Sequence, residues 1–556
     1  MRDEERKGGL KSTATLYRPC SFGYHNEIVI LGEGKKMKNQ NYPFYEVEQL
    51  NDLKELVNLT AEKYGDKPAF IFERKGETVQ VSYRQFKADI EAFGTALYDL
   101  DVQNEKVALI GENSYEWILT YLSVIISGNV IVPLDKELPS EETKYLIDDS
   151  DAVMFVHSDS FSDIADYMRE NDTDVKHYVN MKSIADMIDN GNKLISNGDN
   201  RMAEHKTDNN SLAALIYTSG TTGTSKGVML SQKNLASNAV GACKLISFPE
   251  SFLLILPLHH IFALSVGVLT IMLQGTSIAI NQSLKNIQGD MQKYKPRNIF
   301  MVPLLAMTFY KQIMALAKGN NDIENLRKIA NMAFGGNLTA IGCGSAPIDV
   351  KYINGYRELG MEFVEGYGLT ESAGIASVNR NKYYRDGSIG LVPPSCEVKI
   401  AEPNEIGHGE ICIKGNIVML GYYRNEQATK DVFDDEWFKT GDIGYIDEDG
   451  FLYISGRKKN LIILSNGKNV YPEEIEFALC NSFSYIKEVV VYEDNDMITA
   501  EVFLDTENIP DCISRLDNDI IEFNRTQPIF KNIGKTIVRE TEFPKTTSRK
   551  IKRQYK

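Results

Sequence analysis

The chain has 556 residues, a formal net charge of −16 and a composition that is 43% hydrophobic and 25% charged. This length exceeds what one hydrophobic core supports, so two or more domains are expected. The acidic balance removes the basic field that nucleic acid needs as a main partner. Seven scattered cysteines without a CxxC pair give neither a disulfide framework nor a zinc site.

Residues 1–40 are rich in Lys, Gly and Asn and read as a flexible N-terminal extension. Their opening, "MRDEERKGGLKS", mixes both charge signs and leads into no apolar run, so a secretory signal is not expected and the cytoplasm is the default. Peripheral membrane contact stays open. From "YPFYEVEQLNDLKELVNLTAEKYGDKPAF" onward, helical spacing of apolar residues gives way to strand-like alternation. "KVALIGENSYEWILTYLSVIISGNVIVPLD" then gives a strand, a polar turn, an amphipathic helix and a strand ending at Asp135, a βαβ rhythm. The rhythm continues through "DAVMFVHSD", "SLAALIYTSG", "SIAI", "RNIFMVP", "AIGCGSAP" and "EFVEGYG". Several of these runs end in Gly, Ser or Thr, as expected where loops at strand ends build a site.

The apolar stretch 252–280, "FLLILPLHHIFALSVGVLTIMLQGTSIAI", is interrupted by Pro257, His259, His260, Gln274, Thr276 and Ser277. A buried strand, turn and helix fit it better than a membrane span. From Gly387 to Lys459 the strands shorten, and "YIDEDGFLYISG" predicts a hairpin turning at Asp449 and Gly450. Beyond Lys459, Asn466-Gly467 marks a tight turn, Pro472 with two following glutamates marks a helix start, and "EVVVYEDNDMITAEVFLD" alternates as a second hairpin. A small α+β domain of about a hundred residues is expected there.

The stretch "LIYTSGTTGTSKGVML" carries the strongest chemical signal. A Walker A loop requires GxxxxGK[ST]; from Gly220 that register finds Ser225 in place of the second Gly and Gly227 after Lys226, so it fails twice. A dinucleotide fingerprint fails as well, since "GCGSAP" has Pro347 and "GYGLTE" has Glu371 where the third Gly belongs. What remains is Gly220, Gly223 and Gly227 among the hydroxyls of Thr218, Ser219, Thr221, Thr222, Thr224 and Ser225, beside the ammonium of Lys226. Pliant backbone, hydroxyls and one cation suit a polyphosphate.

"YTSGTTGTSKGV" resembles the phosphate-loop signature of the adenylate-forming superfamily, which includes acyl-CoA synthetases, peptide-synthetase adenylation domains and firefly-type luciferases. "LPLHHIFAL", "GCGSAPI", "GYGLTES", "FKTGDIGYIDEDGFLYISGRKKNLI" and "PKTTSRKIKR" follow in the superfamily's order, from about residue 41 to the C-terminus. The resemblance implies an α/β fold. A large N-terminal domain, 41–456, would combine two βαβ-type sheets with a small β-barrel-like subdomain, and a hinge at 457–460 would lead to a small mobile α+β lid, 461–556. The implied reaction replaces a carboxylate oxygen by AMP, releasing pyrophosphate, before a thiol attacks the mixed anhydride.

By the same resemblance, Thr218, Ser219, Gly220, Thr221, Thr222, Gly223 and Lys226 hold the β- and γ-phosphates. Thr370 contacts the α-phosphate and Glu371 the Mg²⁺, for which one carboxylate with phosphate oxygens suffices. Tyr367, followed by Gly368, lies against adenine, with Gly344, Ser345 and Ala346 lining the other side of the base. Asp442, an acceptor-only carboxylate, takes the ribose hydroxyls with help from Arg457. His260 matches the position that gates the acyl tunnel, Lys459 the hinge, and Gly467 a glycine brought to the CoA tunnel. Lys550 matches the C-terminal lysine that neutralises charge between the carboxylate and the α-phosphate; Arg549 replaces the family's usual glycine before it.

Amino-acid-activating relatives bind their substrate's ammonium with an aspartate after the His motif, and residues 251–289 hold no Asp or Glu, which disfavours an amino acid. Phe262, Leu264, Val266, Val268 and Ile271 suit a hydrocarbon chain or serve as core. The chain most resembles bacterial long-chain fatty acid CoA ligases, with ATP, CoA and a carboxylic acid as substrates. A medium-chain or aryl acid, a carrier protein as acceptor, and a non-catalytic binding protein stay open; Lys226, Glu371, Asp442, Arg457 and Lys550 together speak against the last.

Overall fold

Short runs of β-branched and aliphatic residues bounded by Gly, Pro and Asn form the strands, in keeping with β propensity. The computed structural model describes residues 28–31, 43–171, 173–206, 208–218, 225–465, 468–495, 497–545 and 551–553. Two large sheets dominate it. The first has eight strands, in the order Ser377–Val378, Glu362–Tyr367, Ala340–Cys343, Asn298–Met301, Ser251–Leu254, Ser277–Ile280, Pro68–Arg74 and Glu77–Ser82. The second has seven, in the order Gly421–Tyr422, Lys226–Ser231, Leu212–Thr218, Val130–Pro133, Lys106–Ile110, Ala152–His157 and His177–Asn180. Both are parallel in the centre and antiparallel at an edge, the result the βαβ rhythm predicts. One apolar cluster runs through both sheets and the helices between them.

The stretch 252–280 divides as expected into buried elements: the strand Ser251–Leu254, a π-helix Phe262–Thr270 and the strand Ser277–Ile280. Among the described residues no helix is long and apolar enough to cross a membrane.

Where a β-barrel-like subdomain is expected, six antiparallel strands form a sheet: Ile28–Leu31, Cys396–Ala401, Gly409–Gly415, Trp437–Ile446, Phe433–Asp434 and Leu452–Arg457. Its pairing path among the described residues is open. Ile28–Leu31 lies within the stretch read as a flexible extension, yet it pairs antiparallel with Cys396–Ala401, so this part of 1–40 is strand. The hairpin at Asp449 and Gly450 is present. Asp447 Oδ1 accepts the N–H groups of Asp449 and Phe451 at 2.9 Å each, and Gly450 takes the positive φ of 91° the turn demands.

From Ile462 onward a separate apolar cluster forms. The strands Ile486–Asp494, Met497–Leu504 and Ile533–Arg539 make a three-stranded sheet, and helices Pro472–Ser482 and Cys512–Arg525 contribute their apolar faces to the same cluster. Pro472 opens its helix at the first turn, followed by Glu473 and Glu474, a composition that suits the positive helix end.

Candidate active site

The phosphate-loop stretch is built on a hairpin. Leu212–Thr218 and Lys226–Ser231 pair antiparallel so that Thr218 stands opposite Lys226, and the Thr218 hydroxyl donates to the Lys226 carbonyl at 3.4 Å. Strand pairing thus brings the two ends of the loop together. Ser219, Gly220, Thr221, Thr222 and Gly223 lie outside the described residues.

The two-residue strand Gly421–Tyr422 pairs with the outer side of Lys226–Ser231. Tyr422 places its ring 4.9 Å from the Lys226 ammonium and donates its hydroxyl to Glu371 Oε1 at 2.9 Å. Burial and the Glu371 carboxylate push the Tyr422 phenol well above its usual range, so it stays a neutral donor. Tyr422 therefore joins the two charged groups that the motifs set 145 positions apart at 226 and 371. Sequence reasoning missed it; the available signal was "GYYRNEQAT", an aromatic pair ahead of a helix capped by Asn425, which by itself suggests an edge strand.

Glu371 sits in the 3₁₀ turn Thr370–Ser372. The turn is fixed by the Met419 N–H donating to the Glu371 carbonyl at 2.8 Å and by the Ser372 hydroxyl accepting the Leu369 N–H at 3.0 Å. No group of three His, Cys, Asp or Glu among the described residues could hold a metal ion. Glu371 Oε2 has no protein hydrogen-bond partner among the described residues. A carboxylate oxygen left over in this way fits Mg²⁺ held by one protein ligand plus phosphate oxygens.

A second constellation surrounds Tyr367. Its hydroxyl donates to Asp442 Oδ2 at 2.6 Å, and the other oxygen of that carboxylate meets Arg457 Nε at 2.8 Å. The hairpin register sets Asp442 opposite Arg457, which explains how residues 15 positions apart form this pair. Burial, reinforced by Asp442, holds the Tyr367 phenol far above its usual range. Gly344 approaches the backbone of Gly366 so closely that an added Cβ would sit 3.1 Å from the Gly366 carbonyl. A Cβ on Gly368 would lie 1.8 Å from the Gly374 carbonyl, so only glycine fits that position. Ser345 takes a left-handed φ of 75°, and it and Ala346 are exposed.

His260 is half-buried at the start of the helical segment, where its carbonyl accepts the Leu264 N–H at 3.2 Å. Its ring centroid is 4.2 Å from that of His259. His259 Nε2 lies 3.4 Å from Asp135 Oδ1, and burial together with His260 drives His259 well below the usual histidine range, leaving it neutral. Of the apolar wall, Leu264, Val266, Val268 and Ile271 are core residues. Phe262 alone is half-buried, stacked on Phe300 at 5.6 Å and 3.6 Å from where a Gly344 Cβ would be.

At the expected hinge, Lys458–Asn460 form a 3₁₀ turn directly after Arg457. Lys458 pairs with Glu410 at 2.6 Å, and Asn460 donates to Glu473 in the first turn of Pro472–Ser482. Burial, with Arg457 and Arg553 beside it, lowers the Lys459 ammonium from its usual value. Gly467 and Lys550 lie outside the described residues. The chain flanking 546–550 is anchored: Lys545 bridges Ile551, the Lys552 N–H donates to the Pro544 carbonyl at 2.7 Å, and Arg553 pairs with Glu476. A cleft of about 390 Å³ lined by Tyr310, Lys311, Met314, Lys351 and Tyr352 touches none of the site residues above.

Comparison with known proteins supplies independent context. The family model described as AMP-binding enzyme matches residues 57–423. The long-chain-fatty-acid–CoA ligase of Salmonella typhimurium is 30% identical over 80% of this chain and 84% of its own length. Long-chain-fatty-acid–CoA ligase FadD15 of Mycobacterium bovis is 28% identical over 80% of each. Among solved structures, the anthranilate CoA ligase AuaEII with anthranoyl-AMP covers 93% of this chain and 97% of its own at a TM-score of 0.73 and 20% identity. The Bacillus subtilis o-succinylbenzoate CoA synthetase with its acyl-adenylate intermediate gives 90%, 97%, 0.70 and 24%. At these identities the two structures speak to the fold.

Proposed function

The chain belongs to the AMP-binding enzyme family, and from that premise we propose that it activates a long-chain fatty acid with ATP to an acyl-AMP, releasing pyrophosphate, and transfers the acyl group to CoA. The observation that carries the reading is the bridge Lys226–Tyr422–Glu371, which sets a cation and a metal-binding carboxylate on one tyrosine. Bringing a carboxylate to the α-phosphorus joins two anions, so the site must supply positive charge and fixed orientation.

Lys226 and the hydroxyl-rich loop draw the β- and γ-phosphates, and Thr370 holds the α-phosphate. Glu371 holds Mg²⁺, which when bound neutralises phosphate charge and steadies the leaving pyrophosphate. Asp442, fixed by Tyr367 and Arg457, accepts from the ribose hydroxyls, and the base lies between Tyr367 and the Gly344–Ala346 turn. The fatty acid enters past His260 and Phe262. Lys550 delivers its ammonium between carboxylate and phosphate, and a turn at Lys459 then presents Gly467 to the thiol.

Fatty-acid-dependent exchange of labelled pyrophosphate into ATP tests the first step across acids from acetate to stearate, with a maximum expected at long chains. Supplying CoA or a carrier protein to the same mixture identifies the acceptor, and CoA is expected to discharge the adenylate. Absence of exchange with every organic acid in that range would refute the reading.

Tyr422→Phe keeps the ring beneath Lys226 but removes the bond to Glu371. Losing one hydrogen bond to a charged group, about 1.5–3 kcal/mol, is expected to raise the half-saturating Mg²⁺ concentration roughly tenfold. An unchanged Mg²⁺ titration would show that the tyrosine does not hold the carboxylate. Lys459→Pro fixes φ at the hinge and is expected to slow thioester formation several-fold more than adenylation. Equal effects on the two half-reactions would remove the hinge from Lys459.

A further inference from the structure

The helix Gln232–Leu245, opened by a Ser231–Asn234 capping box, carries a buried side chain that the chemistry above leaves unused. Asn238 is 1% exposed and its whole amide is engaged. Nδ2 donates to the carbonyls of Ser372 at 3.0 Å and Ile375 at 2.8 Å, while Oδ1 accepts from the Ile375 N–H at 3.3 Å and the Ser265 hydroxyl at 3.1 Å. One asparagine thus spans the turn that carries Thr370 and Glu371 and the π-helix that follows His260. The approach is tight: a Cβ on Gly374, which has φ 127°, would lie 3.1 Å from both Asn238 Oδ1 and Ser265 Cβ.

The π-helix is itself unusual, because i→i+5 geometry mostly appears as single-turn bulges that concentrate at functional sites, whereas here it runs for nine residues. The Thr270 hydroxyl closes one five-residue step by donating to the Ser265 carbonyl at 3.0 Å. Tightening this segment to an α-helix changes the residues per turn and rotates Ser265 relative to Asn238. The bond from Ser265 to the clamp on the Glu371 turn therefore depends on the π winding.

Resting on the reading that the acyl chain enters past His260 and that Glu371 meets Mg-ATP, we propose that Asn238 is a positioning residue that couples the two sites. Through Ser265, the state of the π-helix sets how firmly the Glu371 turn is held, so a fatty acid seated beside that helix tightens binding of the magnesium nucleotide. Linkage requires the reverse effect to be equal.

The test is calorimetric binding of Mg²⁺ with the non-cleavable α,β-methylene analogue of ATP to the full chain, alone and with palmitate or butyrate. In the wild type, palmitate is expected to tighten the analogue about fivefold or more, and butyrate to leave it unchanged. Ser265→Ala is expected to fold normally, bind the analogue alone as the wild type does, and lose the palmitate effect. Asn238→Ala is expected to weaken the analogue about tenfold in Mg²⁺ and to lose the effect as well; if it does not fold, Ser265→Ala decides. Analogue binding indifferent to palmitate, or a full palmitate effect in Ser265→Ala, overturns the coupling alone. A wild type that does not bind the analogue overturns the nucleotide reading and the coupling with it.

Discussion

Glu371→Gln is expected to lower kcat/KM for acyl-adenylate formation by about 10²–10³-fold, the usual cost of removing one charge-stabilising group from a phosphoryl-transfer site. The substitution isolates charge from shape. Glutamine keeps an amide oxygen to accept from the Tyr422 hydroxyl, which now meets Glu371 Oε1 at 2.9 Å, and it leaves the 3₁₀ turn with its Met419, Ser372 and Asn238 contacts intact. What disappears is the carboxylate charge with which Glu371, in the role proposed for it, would share a divalent cation with phosphate oxygens. The defect should therefore appear as a shifted Mg²⁺ dependence of pyrophosphate exchange, relieved in part by raised Mg²⁺, with the melting temperature unchanged. A variant with the wild-type Mg²⁺ curve would take the metal away from Glu371.

The parts of this site that were legible in the sequence are those where one local segment carries its own chemistry. The hydroxyl-rich loop between two strands declares itself because backbone freedom and side-chain type coincide within a dozen residues, whereas Asp442 and Arg457, 15 positions apart, and the glycines at strand ends are assigned through the family resemblance. The central βαβ order was readable for the same reason, since period and turn residues agree there. What stayed hidden was contact at long range. Tyr422 acts on Glu371 from a two-residue edge strand 51 positions away. Asn238 reaches Ser372 across 134 positions from the middle of a helix whose polar residue would ordinarily be assigned to solvent. The apolar wall after His260 stayed open between acyl-chain lining and core for a related reason: a buried helix that is hydrophobic on all sides has no periodicity to say which residues line space and which are core, and the π winding alters the period again. The structure settles it for four of the five residues, which are core.

Lys550→Ala is expected to slow adenylate formation about 10³-fold while leaving thiol attack on supplied acyl-AMP within a few-fold of the wild type, because the role proposed for its ammonium, between two anions, belongs to the first step alone. The described residues on either side of Lys550 are anchored. On its N-terminal side Lys545 pairs with Glu488 and Glu542, and on its C-terminal side Arg553 pairs with Glu476 and lies 3.6 Å from Glu473. Glu473 also takes the side chain of Asn460 from the hinge turn, and Arg553 is near enough to Lys459 to lower its ammonium. Arg553 is thus tied to the same helix start that contacts the hinge. Arg553→Ala removes that tether, leaves Glu476 its bond from the Val491 N–H but no ion pair with Arg553, and keeps Lys550. Its adenylation rate should fall about tenfold, by misplacement alone, with thiolysis of supplied acyl-AMP again spared. If both variants lose the two half-reactions equally, the tail stabilises the small domain and delivers no charge; if Arg553→Ala is silent while Lys550→Ala is crippled, the lysine acts without this tether.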